Sequence, residues 1–183
     1  MARPSSRPRV IDAALAVVER RGVTALTLDA VAEEAGVTKK GLMYHFPGKH
    51  ALLLGVHEEL AARTDRLLRE AAGREPEDAT LVERTRAYVQ VMAQTPSDVE
   101  MRLILEAALE RDWLEPWDEL YRRWFPEDAR PVEELDEPAL RCRVARMAAD
   151  GSWAHESTST SPMGQAARQR VTTAILEGLV DAG

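Results

Sequence analysis

The stretch from Thr27 to Leu53, TLDAVAEEAGVTKKGLMYHFPGKHALL, constrains this chain more than any other. Leu28, Val31 and Ala32 recur at i, i+3 and i+4, one apolar face of a short helix, and Thr27 is placed to cap it. Glu33 and Glu34 fall on the outer face. Ala35-Gly36 ends the pattern, with glycine where a turn needs positive φ. Thr38 then caps a second short helix that carries Lys39, Lys40, Gly41, Tyr44 and His45. Two short helices joined by a glycine turn, the second basic at its start, form a helix-turn-helix pattern.

The surrounding sequence extends that motif. RVIDAALAVVERRG predicts an amphipathic first helix from Arg9 to Arg21, with Val10, Ala14, Val17 and Val18 inward and Gly22 as its stop. Leu26 and Leu28 add to the small core, and Phe46 reads as a core residue that locks the third helix. Pro47-Gly48 is a turn, and Lys49 opens a long fourth helix to about Ala72. Gly22, Thr27, Ala35-Gly36-Val37-Thr38, Tyr44-His45-Phe46 and Lys49 together resemble the DNA-binding domain of TetR-type repressors over roughly the first 50–60 residues. Where many members have Gly then Thr in the third helix, this chain has Lys40 then Gly41, and Met43 stands at a usual tyrosine position. Its GLMYHF is similar to the family subset that reads GLLYHF.

Charge is distributed to suit such a reading. The net charge is −7, yet residues 1–50 carry +3 and the remainder −10. A basic amino-terminal module on an acidic body keeps attraction to phosphate local. All three lysines, Lys39, Lys40 and Lys49, lie in or beside the third helix. Lys39 and Lys40 are candidates for guanine acceptors or phosphate, and Gly41 allows close backbone approach. Thr38 and Tyr44 offer hydroxyls, His45 a ring N–H, and Lys49 a backbone anchor. Residues 1–8 read as a flexible arm in which Arg3 and Arg7 either contact DNA or merely solubilise.

The rest of the chain is all-α, with about nine helices and no strand pattern. The fifth to ninth helices are expected near 79–94, 98–111, 115–125, 138–156 and 163–180. The acidic FPEDARPVEELDEP reads mostly as loop, and Leu105, Ala108 and Leu109 as apolar positions of the sixth helix. The predicted organisation is an arm and helix-turn-helix head over 1–48 and a ligand-binding and dimerisation body over 49–183. No apolar run approaches the ~20 residues of a membrane span, and MARPSSRPRV lacks an apolar signal core, so a cytoplasmic protein is expected. One cysteine, Cys142, forms no internal disulfide and is read as an inert thiol.

The family resemblance implies a homodimer through the eighth and ninth helices, two heads on an inverted-repeat DNA operator, and a small-molecule effector that moves the fourth helix. Val144, Met147, Ala148, Gly151 and Ala154 form one stripe, and Val171, Ala174, Ile175 and Leu179 another; period alone leaves open whether they face a partner or the chain's own core. Tyr88, Met92, Met101, Trp113, Trp117, Tyr121 and Trp124 gather large groups in helices five to seven. They line either an effector pocket or a packed core. His50 and His57, seven apart with no third ligand, read as surface histidines rather than a metal site. No phosphate loop, HExxH or cysteine pair supports an enzyme, and no cofactor is expected. A protein-interaction module that keeps the helix-turn-helix scaffold without specific DNA binding is the alternative.

Overall fold

The computed structural model describes residues 6–94, 97–108 and 110–181, so Arg3 and Leu109 lie outside the described residues. Nine α-helices and several short 3-10 turns account for the described architecture, with no strand among those residues. The chain forms two compact units that interleave in sequence. One holds residues 1–61 and 98–117, the other 62–97 and 118–183. Compactness thus divides the chain at other places than the boundary between residues 48 and 49 read from the sequence.

In the first unit, α1 (Arg7–Arg21) buries Val10, Ile11, Ala13, Ala14, Val17 and Val18. It starts two residues earlier than expected, because Pro8 fits a first helical turn and Arg7 is tied down. The Arg7 guanidinium pairs with Glu58 at 2.7 Å and lies over the Phe46 ring, 5.5 Å from its centroid. Gly22, at φ 79°, closes α1 by donating its N–H to the Val18 carbonyl at 2.8 Å. Helices α2 (Leu28–Glu34) and α3 (Lys39–His45) follow. Leu26, Val31, Ala32, Leu42 and Phe46 complete the core under them.

Helix α4 (Lys49–Ala72) contributes to both units. Its buried stripe runs through Leu53, Val56, Leu60, Thr64 and Leu68, while Leu67 is exposed. Position 67 lies close to Leu60 in helix phase, and it is left exposed where the buried row continues in steps of four through 64 and 68, drifting about 40° per step. His57 is fully buried, which corrects its reading as a surface histidine. Helix α6 (Asp98–Ala107) adds Met101, Leu103 and Ala107 to the first unit's core and leaves Leu105 exposed. A 3-10 turn, Arg111–Trp113, leads into α7 (Glu115–Trp124).

The second unit is built on α5 (Leu81–Gln94) packed against α8 (Glu137–Thr158), joined by α9 (Gln165–Ile175) and a π-helical segment, Leu176–Val180. The acidic connection after α7 forms two 3-10 turns, Pro126–Ala129 and Val132–Glu134, rather than an open loop. Arginines fasten it. Arg84 meets Glu127 at 2.6 Å, and Arg143 and Arg146 both reach Asp128. Glu156 is buried at the end of α8, where its carboxylate accepts the Met163 N–H and so directs the turn into α9.

Candidate nucleic-acid interface

Local chemistry fixes the two short helices. Thr27 Oγ1 accepts the Ala30 N–H at 3.1 Å and Thr38 Oγ1 the Gly41 N–H at 3.0 Å, so each helix has a side-chain N-cap. Gly36, at φ 60°, makes the bend between them, and the Val37 N–H closes it on the Ala32 carbonyl at 3.0 Å. Arg9 donates to the Gly36 carbonyl at 3.3 Å, tying α1 to the turn. Helix α3 is then held from beneath by Leu42 and Phe46, which are 0% and 3% exposed.

Phe46 in turn rests on α4 at Gly55. A Cβ at Gly55 would lie 2.5 Å from Phe46 Cε1, so glycine permits this approach. The sequence reading found Phe46 and missed Gly55. A glycine inside a strongly helical pattern was the available signal.

The outer face of α3 is free of packing duties. Thr38, Lys39, Lys40, Gly41 and Lys49 are exposed, and Tyr44 is 87% exposed, with Met43 beside it at 42%. An aromatic side chain this exposed contributes almost nothing to a core. Lys39 Nζ reaches Asp29 Oδ2 at 2.9 Å, an exposed pair worth ~0–1 kcal/mol and easily exchanged for another anion. His45 is half-buried, with its Nε2 2.9 Å from Ser6 Oγ and its ring edge-on to Tyr44. The seven residues proposed for DNA contact thus lie on or immediately beside α3, with His45 the one already engaged in packing.

The aromatic residues divide between the units. Met101, Trp113 and Trp117 are buried in the first unit, where Trp117 Nε1 donates to His57 Nδ1 at 3.2 Å. The Trp113 ring stacks on His57, with centroids 6.4 Å apart and planes at 17°, and meets His50 at 5.4 Å. Burial pushes His57 down to about 4, so its imidazole is neutral near pH 7. His57 Nε2 and Trp113 Nε1 are buried without a hydrogen-bond partner among the described residues.

Tyr88, Met92, Tyr121 and Trp124 belong to the second unit. Tyr88 donates to Asp150 at 2.5 Å and lies 3.3 Å from the Tyr121 hydroxyl, with Phe125 edge-on to its ring. Burial, with the neighbouring Tyr121 and Asp150, holds the Tyr88 phenol well above its ordinary value, and burial raises the Asp150 carboxyl. Trp124 is fully buried and donates to Asp65 at 2.8 Å. Met92 is half-buried. An open groove of about 790 Å³ lies elsewhere in this unit, lined by polar residues including Gln90, Gln94, Gln165, Arg168 and Thr172, and by none of the seven.

The two apolar stripes are accessible. Val144 and Met147 are 41% and 65% exposed, Gly151 is exposed, and Ala154, Val171, Ile175 and Leu179 are half-buried. No residue of α9 or of the π-helical segment is buried.

Residues 10–56 match the family model "Bacterial regulatory proteins, tetR family", and residues 82–179 match "Tetracyclin repressor-like, C-terminal domain". Over 51 residues the chain is 47% identical to the HTH-type transcriptional regulator SrpR of Pseudomonas putida, a stretch covering 28% of this chain and 24% of that protein. This match therefore spans about a quarter of the curated relative. Two solved structures share the fold over nearly the whole chain. One, from Mesorhizobium loti MAFF303099 and assigned to the TetR family, has TM-score 0.72 at 17% identity, covering 99% of this chain and 98% of that one. The multidrug binding protein EbrR, solved with ethidium, has TM-score 0.60 at 23% identity, covering 95% and 99%.

Proposed function

Because the chain belongs to the TetR family of bacterial regulatory proteins, we propose that it is a dimeric, sequence-specific DNA-binding transcriptional regulator, a repressor released from an inverted-repeat operator by a small-molecule effector. The observation that carries the reading is the exposed row Lys39, Lys40, Tyr44 on a helix whose other side is capped and packed rigidly. Rigid presentation matters because base-edge hydrogen bonds in the major groove tolerate little error in position. Thr38, Gly41, His45 and Lys49 complete the set, with Lys49 on the phosphate backbone. In this reading residues 1–48 form the head, and 49–183 bind the effector and dimerise.

Dimerisation is supported by α9, an amphipathic helix none of whose residues is fully buried within its own chain. Val144, Met147, Gly151 and Ala154 on α8, with Val171, Ile175 and Leu179 at the carboxyl end, supply a surface that a second copy would cover. Two heads related by a two-fold axis read the two halves of an inverted repeat. The effector is assigned to Met101, Trp113 and Trp117, which share one compact unit. EbrR is a multidrug binding protein solved with ethidium, which is compatible with an aromatic-lined site in this fold. Operator and effector must oppose each other by the same factor, whichever binds first.

The test is selection of genomic fragments by the purified protein at two salt concentrations, followed by sequencing. One short inverted repeat, recovered at low salt and lost at high salt, is the expected result. Recovery of no specific sequence by folded protein would move the weight to a protein-interaction module.

A further inference from the structure

We propose that His57 and Trp113 form a recognition site for a neutral small molecule bearing a carbonyl-type hydrogen-bond acceptor, within the compact unit that also holds the helix-turn-helix. The inference rests on the reading of the chain as an effector-responsive regulator, and it names the chemistry of the effector. His57 is 0% exposed and Trp113 is 8% exposed. The Trp117 indole N–H occupies His57 Nδ1, so the single proton of the neutral imidazole sits on Nε2. That Nε2–H and the Trp113 indole N–H both lack a partner among the described residues. Their rings stack at 6.4 Å, so two unmatched donors sit in adjoining residues. Buried donors left unmatched are costly, and two together are unusual in a packed core.

The chemistry of the pair selects its ligand. Both free groups are donors, so the ligand must turn acceptors, and no donor, toward them. A carboxylate fits less well than a ketone, ester or amide oxygen. An anion beside His57 would favour the imidazolium, whose Nδ1–H would then face the Trp117 N–H, donor against donor. The flat stacked rings favour a planar group next to the carbonyl. Trp113 stands on a three-residue 3-10 turn and also meets the exposed ring of His50, which makes that turn the natural point of opening. His57 lies eight residues beyond Lys49 on α4, roughly 12 Å along the helix axis. A ligand that shifts His57 would therefore act on the helix that carries the proposed backbone anchor.

Three probes separate the possibilities on the full-length protein: acetophenone, α-methylstyrene, which has the same shape without the oxygen, and benzoate, its anionic counterpart. Tryptophan fluorescence reports affinity, and ¹⁵N spectra report the His57 Nε2–H and Trp113 indole resonances. Acetophenone should bind about tenfold or more tightly than either other probe and shift both resonances. The preference should vanish in His57→Phe. Should that variant fail to fold, Trp113→Phe, which keeps a ring and removes one donor, should reduce it. Equal affinity for acetophenone and α-methylstyrene, a preference for benzoate, or no binding of acetophenone up to its solubility overturns the proposal. So does a fixed water on Nε2–H that acetophenone does not displace. Operator binding measured on the same preparation keeps the two readings apart. If the operator is bound and acceptor preference is absent, only this inference fails; if no operator is bound, the regulator reading fails independently.

Discussion

Phe46 and Gly55 are in contact across the junction of α3 and α4, with Phe46 Cε1 2.5 Å from where a Cβ on residue 55 would stand. The clash is with a ring that is itself 3% exposed and carries α3 on its backbone. Gly55→Ala gains up to ~1 kcal/mol of helix propensity and incurs ~1–3 kcal/mol of overpacking. Net destabilisation of about 1 kcal/mol, the middle of that range, is expected in denaturant unfolding. DNA affinity should fall further than stability does, because the ring must move α3. Gly55→Ala combined with Phe46→Leu should recover part of the stability; full stability in Gly55→Ala alone would contradict this account.

The lysines and the cap should separate cleanly by assay. Lys40→Ala should leave the unfolding midpoint unchanged within ~0.5 kcal/mol and lower the slope of log K against log salt by ~0.9, one phosphate contact. Asp29→Asn releases Lys39 from its 2.9 Å partner and should raise affinity at low salt. Thr38→Ala should cost ~1 kcal/mol of stability through the lost cap, and Thr38→Ser much less. Loss of stability in Lys40→Ala would show that this side chain packs rather than reads DNA.

Much of this was legible because it is local. Thr27, Gly36 and Thr38 announce caps and a turn through their own side-chain and backbone chemistry, so the motif needs no knowledge of distant residues. What escaped is non-local. Segment 98–117 joins residues 1–61 in one unit, and no periodicity encodes which distant helix a face meets. That is why the seven aromatic and methionine residues read as one group but lie in two. His57, Arg84 and Arg146 are polar residues that a pattern assigns to the surface. They are buried because Trp117, Glu127 and Asp128 offer them partners. Leu67, seven residues after Leu60 and close to it in helix phase, is exposed nonetheless, because what packs against that face and not the period decides its burial.

Acid should weaken the fold in two stages. Burial brings His57 from 6.5 down to about 4, so between those values the unfolded chain binds a proton that the folded chain refuses. Stability therefore falls as pH drops from about 6.5 to about 4, by up to about 3 kcal/mol from this residue. Asp65 follows below that range. Burial pushes its carboxyl up, but hydrogen bonds from Trp124 and Arg69 and the charges of Arg123 and Arg69 outweigh it and hold it below 3.8. Its contribution is present above that value and lost as pH falls through its folded pKa. Denaturant unfolding from pH 7 to 4.5 should show a shallower slope in His57→Phe than in the native chain; identical slopes would place the imidazole in solvent.

The exposed stripe on α8 gives the last test. Met147 is 65% exposed and Val144 41%, so a charge at either position costs the single chain little. Covered by a second copy, the same charge would lose its water without gaining a partner, a penalty of several kcal/mol at each of two symmetric sites. If the chain dimerises as proposed, the native protein should sediment as a dimer and Met147→Glu as a monomer at the same concentration, with an unchanged unfolding baseline and helix content. Its affinity for a full inverted repeat should fall to that for a half-site, since the two heads are no longer joined. A dimeric Met147→Glu would move the interface off this stripe, and a monomeric one that still prefers the full repeat would mean that the heads pair through DNA alone.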